Sequence, residues 1–148
     1  MEIQKSCWII PYLVKDDKIY FLLIKWRHNH RGFPKWHIEK WEDCKQTALR
    51  EFQEETGIPA DFIIIDTDMV LEDNYFFTLN GKKIKKIVKY FIWELKDWFE
   101  EYIKPQVWEI YEIKLVPSEK VGNYLEFKSL KDIFSKVLYF LKSKLWKQ

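Results

Sequence analysis

Three glutamates constrain this chain more than any other feature of its sequence. Glu51, Glu54 and Glu55 stand at i, i+3 and i+4 within Arg50-Glu51-Phe52-Gln53-Glu54-Glu55-Thr56-Gly57-Ile58. Residues so spaced project from one side of a helix. Ala48, Leu49 and Phe52 share another face, again at helical spacing. Gly57 supplies a stop and Pro59 reinforces it, so the pattern predicts a helix over Asp43–Thr56. Like charges at this spacing destabilise an isolated helix. A hard divalent cation would neutralise them, because Mg²⁺ prefers carboxylate and water oxygens. Taken alone, three glutamates so spaced read as a solvated acidic face.

The wider string narrows the choice. Trp36 is followed after five residues by Glu42, and after seven more by Arg50-Glu51. Phe52 is apolar, Glu54-Glu55 follow one residue later, and Gly57 and apolar Ile58 close the string. This resembles the Nudix box, Gly-x₅-Glu-x₇-Arg-Glu-U-x-Glu-Glu-x-Gly-U with U apolar. The match covers residues 36–58 and departs only at its first position, where Trp36 replaces glycine. The resemblance implies an α+β fold, an α/β/α sandwich with a mixed sheet between helices, formed by residues 1–148 as one domain. It implies a pyrophosphohydrolase that cuts a phosphoanhydride bond in a nucleoside diphosphate-linked substrate. Glu51, Glu54 and Glu55 would be metal ligands, with the backbone carbonyl of Trp36. Arg50 would orient the helix through salt bridges, and Glu42 would support the loop. Mg²⁺ is the implied cofactor, with Mn²⁺ as its alternate. The metal suits the chemistry, since polyphosphate repels a bare carboxylate base.

The flanks point to a substrate. The run from His30 to Glu42, with Phe33-Pro34-Lys35 and His37 at its centre, resembles the loop of the asymmetric diadenosine tetraphosphate hydrolases. Asn74-Tyr75 and the run Lys86-Ile87-Val88-Lys89-Tyr90-Phe91 resemble their substrate-side hairpin. By that resemblance Lys35 and Lys86 touch phosphates, and Tyr75 and Tyr90 sit beside phosphate or adenine. His37 matches a family histidine, though a surface role suits it as well. Glu109 matches a late-loop acidic residue that binds a second metal or orients water. The expected reaction converts diadenosine tetraphosphate to ATP and AMP. The alternatives are another Nudix pyrophosphohydrolase acting on nucleoside triphosphates, ADP-ribose or RNA 5′ ends, or a non-catalytic nucleotide-binding Nudix module.

Charge and composition agree with a small-molecule partner. The net charge is only +2, so no strong field draws the chain to nucleic acid or membrane. Lys82, Lys83, Lys85, Lys86 and Lys89 crowd one stretch, as a solvated strand face or as a phosphate-binding one. The N-terminus has no apolar h-region, no run approaches a membrane span, and Cys7 and Cys44 suggest neither a disulfide framework nor a zinc site. A monomeric cytoplasmic enzyme is the expectation.

The remaining elements follow from pattern. Ser6–Val14 and Ile19–Lys25 read as a hairpin about Lys15–Lys18, and Arg27–Lys35 as a loop. Asp61–Leu71 reads as a strand. Tyr75–Leu95 reads as a hairpin whose Asn80-Gly81 suits a type I′ turn. Val107–Val116 reads as a strand. Ser129–Trp146 reads as a helix with an apolar stripe from Leu130 to Leu145.

One compositional feature is anomalous. The chain has 8 Trp and only 4 Gly, whereas glycine ordinarily makes up about 7% of residues. Trp36 and Trp41 stand where the resembled family has glycine, and Trp8, Trp26, Trp93, Trp98, Trp108 and Trp146 stand where glycine is readily accepted. A bulky residue held at positive φ is an outlier. Indoles at 36 and 41 are therefore expected to strain or block the loop, unless these tryptophans are glycines encoded by UGA.

Overall fold

The computed structural model describes residues 1–26, 31–39, 42–66, 69–106 and 110–146, apart from the side chain of Tyr111. Strand β1 (Glu2–Lys15) turns into β2 (Lys18–Trp26) through Asp16 and Asp17, both at positive φ. Aspartate tolerates that conformation better than most residues, which explains this turn sequence. Short strands β3 (Arg31–Gly32) and β4 (Lys35–Ile38) follow within the expected loop. Helix α1 (Cys44–Thr56) is next.

Among its described residues, the expected strand Asp61–Leu71 forms only in two short pieces, at Ile63–Ile64 and from Val70. A 3-10 turn occupies Ala60–Phe62, β5 spans only Ile63–Ile64, and β6 starts at Val70. Pro59 leads into the turn, so little of the apolar run is left free to pair. β6 (Val70–Leu79) and β7 (Lys82–Leu95) then make the expected hairpin. Asn80 and Gly81 have φ of 51° and 78°, as a type I′ turn requires at both central positions. The chain ends with β8 (Ile110–Pro117), a short α2 (Ser118–Val121) and α3 (Lys128–Leu145).

Among the described residues the strands form one mixed sheet in the order β3-β2-β1-β7-β5, with β4 on β1, β6 on β7 and β8 on β2. β1 and β7 run parallel, from Glu2 opposite Ile84 to Tyr12 opposite Glu94. Alternation along β7 sorts side chains to two faces. Val88, Tyr90 and Ile92 join Leu130, Phe134 and Val137 of α3 on one face. Phe91, Trp93 and Leu95 join Ala48 and Phe52 of α1 on the other. Full burial of a side chain such as Phe52 contributes about 1.5–3 kcal/mol. The result is the expected α/β/α layering. No described helix is long and apolar enough to cross a membrane.

The two cysteines depart from expectation. Cys7 faces the α1 side of β1, Cys44 opens α1, and the two form a disulfide with Cα atoms 5.9 Å apart. Sequence separation alone cannot show this proximity, because sheet and helix must first be docked.

Candidate active site

Local sequence sets the position of α1. Asp43 caps it by accepting a hydrogen bond from the Gln46 amide at 2.9 Å, satisfying an amide that would otherwise lack a partner. Gly57 ends it at φ 81°. A Cβ there would lie 2.6 Å from the Tyr102 carbonyl oxygen, so both conformation and space demand glycine. Beyond it, the Lys104 amide donates to the Thr56 carbonyl at 2.7 Å and the Gln106 amide to that of Glu55 at 3.1 Å. The glutamate-bearing turn is thus tied to the following segment.

On this helix Arg50 lies 3.3 Å from a carboxylate oxygen of Glu51 and 3.3 Å from one of Glu54. Glu55 is buried, 6% exposed. Glu42 bridges loop and helix: Oε1 accepts from the Glu39 amide at 3.0 Å, and Oε2 from the Thr47 hydroxyl at 3.2 Å. The donors are hard carboxylate oxygens, and this chemistry suits a divalent cation. Among the described residues, however, no three acidic, histidine or cysteine side chains gather tightly enough to enclose a metal. Glu109, expected to complete the set, lies outside the described residues, as do Trp41 and Trp108.

The expected substrate residues converge elsewhere in the sheet. A cavity of ≈660 Å³ is lined by Lys35, His37, Tyr75, Lys86 and Tyr90 together. Register explains the convergence. Trp8 of β1 pairs with Lys35 of β4 on one side and Tyr90 of β7 on the other. Tyr75 of β6 pairs with Lys86 of β7. Lys86, Val88 and Tyr90 alternate onto one face, as do Asp73 and Tyr75.

The cavity is cationic and aromatic. Lys35 Nζ sits 5.2 Å from the centre of the Trp8 ring, and the Trp8 and Tyr90 ring centres are 5.6 Å apart. Burial lowers the pKa of Lys35. Burial, and then repulsion from Lys35, lowers that of Lys86. Tyr90 is pushed up to about 12, first by burial and then by Asp73 and Tyr75. Lys35 and Lys86 face one cavity, and repulsion from Lys35 adds to the partial burial of Lys86, so an anion bound between them would relieve it.

Sequence reasoning did not find Trp8, Asp73, Phe127 or Ser129, which also line the cavity. Asp73 and Phe127 carried no motif; Trp8 drew notice only as an out-of-place tryptophan. The signal was available only as register. Trp36 is in extended strand and not at positive φ, so the expected backbone strain is absent there. Its place in the molecule is double: it borders the cavity and belongs to the apolar cluster beneath α1.

Comparison with known proteins agrees with this geometry. The NUDIX domain family matches residues 5–137. The asymmetrical bis(5′-nucleosyl)-tetraphosphatase of Caenorhabditis elegans is 29% identical over 140 residues, covering 92% of this chain and 97% of that protein. The rat enzyme of the same name is 38% identical over 87 residues, an alignment covering 57% of this chain and 56% of that one. A crystal structure of a C. elegans Ap4A hydrolase binary complex superposes with a TM-score of 0.77 at 25% identity, over 95% of this chain and 98% of that one. The chain belongs to the NUDIX domain family, as an enzyme of its pyrophosphohydrolase class.

Proposed function

We propose that this enzyme hydrolyses diadenosine tetraphosphate asymmetrically, to ATP and AMP, with Mg²⁺ as cofactor and Mn²⁺ as its alternate. The observation that carries the reading is the single cavity joining Lys35, Lys86, Tyr75, Tyr90 and His37. Two cations suit an extended polyphosphate. Aromatic rings beside them suit a purine base. The likeness to enzymes named asymmetrical tetraphosphatases supports the same substrate class.

In this reading Glu51, Glu54, Glu55, Glu109 and the carbonyl of Trp36 would hold the metal. When bound, the metal screens phosphate charge, acidifies the attacking water and stabilises the leaving phosphate. Lys35 and Lys86 bind and orient the polyphosphate. Tyr90 and Trp8 give the base a surface to lie against, and Tyr75 lines the same cavity. Glu42 keeps the loop on α1, so that positions 36 and 51–55 stay in register. Arg50 holds Glu51 and Glu54 in fixed rotamers.

Product analysis tests the proposal. Equimolar ATP and AMP from diadenosine tetraphosphate are expected, and two ADP would exclude the asymmetric cut.

A further inference from the structure

Three tryptophans sit badly in this fold, each for a separate physical reason. Trp98 has φ 74° and ψ 6°, the left-handed conformation. Among the described residues, the other non-glycine residues at positive φ are Asp16, Asp17 and Asn80, whose short polar side chains tolerate it. An aromatic side chain does not, and no packing compensates: the Trp98 side chain is 69% exposed. Glycine adopts this conformation without a steric cost.

Trp36 and Trp93 have normal backbones but faulty interiors. Trp93 is 0% exposed and Trp36 9%. The indole Nε1 of each is buried and has no hydrogen-bond partner. A buried Trp normally satisfies this donor, and leaving it unmade forfeits its hydration. Both indoles lie in the same layer, between the sheet and α1. The helix carrying Glu51, Glu54 and Glu55 therefore rests on two side chains that do not suit their surroundings.

These faults share a residue type, and the composition supplies the link. Tryptophan is in excess by about as much as glycine is deficient. Together the two make up roughly the share that glycine alone ordinarily holds, about 7%. One mechanism converts glycine to tryptophan wholesale without touching other residues: reading UGA as tryptophan in a gene whose organism reads it as glycine.

We infer that residues 36, 93 and 98 are glycine in the protein as its own cell makes it, each encoded by UGA. Position 98 becomes an ordinary left-handed glycine. Positions 36 and 93 lose two orphaned donors, and α1 rests on a thinner layer against β4 and β7. The active-site wall at position 36 is then bare backbone. The inference does not depend on the substrate assigned above.

The gene and the native protein test it together. Codons 36, 93 and 98 are read from the source DNA, and tryptic peptides spanning them are weighed from protein isolated from that source. UGA at all three, with peptide masses lower by the difference between an indolylmethyl group and hydrogen at each, is the expected result. UGG at these positions would overturn the inference. So would UGA codons whose native peptides carry tryptophan.

Discussion

Tyr75 and Lys86 are cross-strand partners in the β6–β7 hairpin, and both line the same cavity. The pairing sets Tyr75 across from a lysine whose charge is already disfavoured by burial and by Lys35. The unliganded protein bears that cost, and under the proposed function a bound polyphosphate would remove it.

Lys86→Met therefore has opposite effects on stability and on binding. The unliganded variant should melt at a slightly higher temperature than the parent, because a disfavoured charge is gone. Its KM for diadenosine tetraphosphate should rise about 10- to 100-fold, as expected for losing a charge-assisted hydrogen bond of roughly 1.5–3 kcal/mol. Calorimetry and steady-state kinetics on one preparation measure both. An unchanged KM would remove Lys86 from the substrate site.

The same two lysines set a pH dependence. Their folded-state pKa values lie below the ordinary 10.5. Their positive charge is thus lost at a lower pH than that of an exposed lysine, and polyphosphate affinity falls as pH rises through that window. The unfolded chain binds more protons there, so the stability of the unliganded fold rises with pH over the same window. Titration of nucleotide binding against pH checks the first trend and thermal melts the second. Affinity constant up to pH 10.5 would contradict the assignment.

Glu55→Gln conserves shape while removing charge from the buried position on α1. The fold should persist, as judged by circular dichroism and gel filtration. Turnover should fall at least about 10²-fold, since even indirect perturbation of a metal site costs 10- to 100-fold. Near-normal turnover would end the case for Glu55 as a metal ligand.

Reduction of the Cys7–Cys44 disulfide should destabilise the protein, because it releases the start of α1 from β1. The bond closes a loop with a sequence separation of 37. Chain entropy for a loop of that size corresponds to roughly 4 kcal/mol. Denaturant melts with and without reductant read the difference. Identical midpoints would show that the link contributes nothing to the folded state.

Much of the site was legible from sequence because its determinants are local. Helix α1 follows from the spacing of Ala48, Phe52 and the glutamates, the cap at Asp43 and the stop at Gly57. The two-residue turn at Asn80-Gly81 follows from the positive φ that it needs. The five expected substrate residues do share one cavity. The glutamates share one helix, but Arg50 claims two of them and no described cluster encloses a metal.

Local sequence specifies the elements whose signals lie within a few residues: α1 and its caps, both hairpins, α3 and the acidic spacing. These are governed by backbone conformation and side-chain period, which act along the chain. Long-range packing set the parallel pairing of β1 with β7, the docking of β4 on β1, the Cys7–Cys44 link and the shortening of the strand expected at Asp61–Leu71. The structure also places Trp8 between Lys35 and Tyr90, and shows Trp98 left-handed and two indole donors orphaned beneath α1. Each of these depends on which surfaces meet after the chain crosses over. That choice is made by burial and register between residues far apart in sequence, and no local pattern records it.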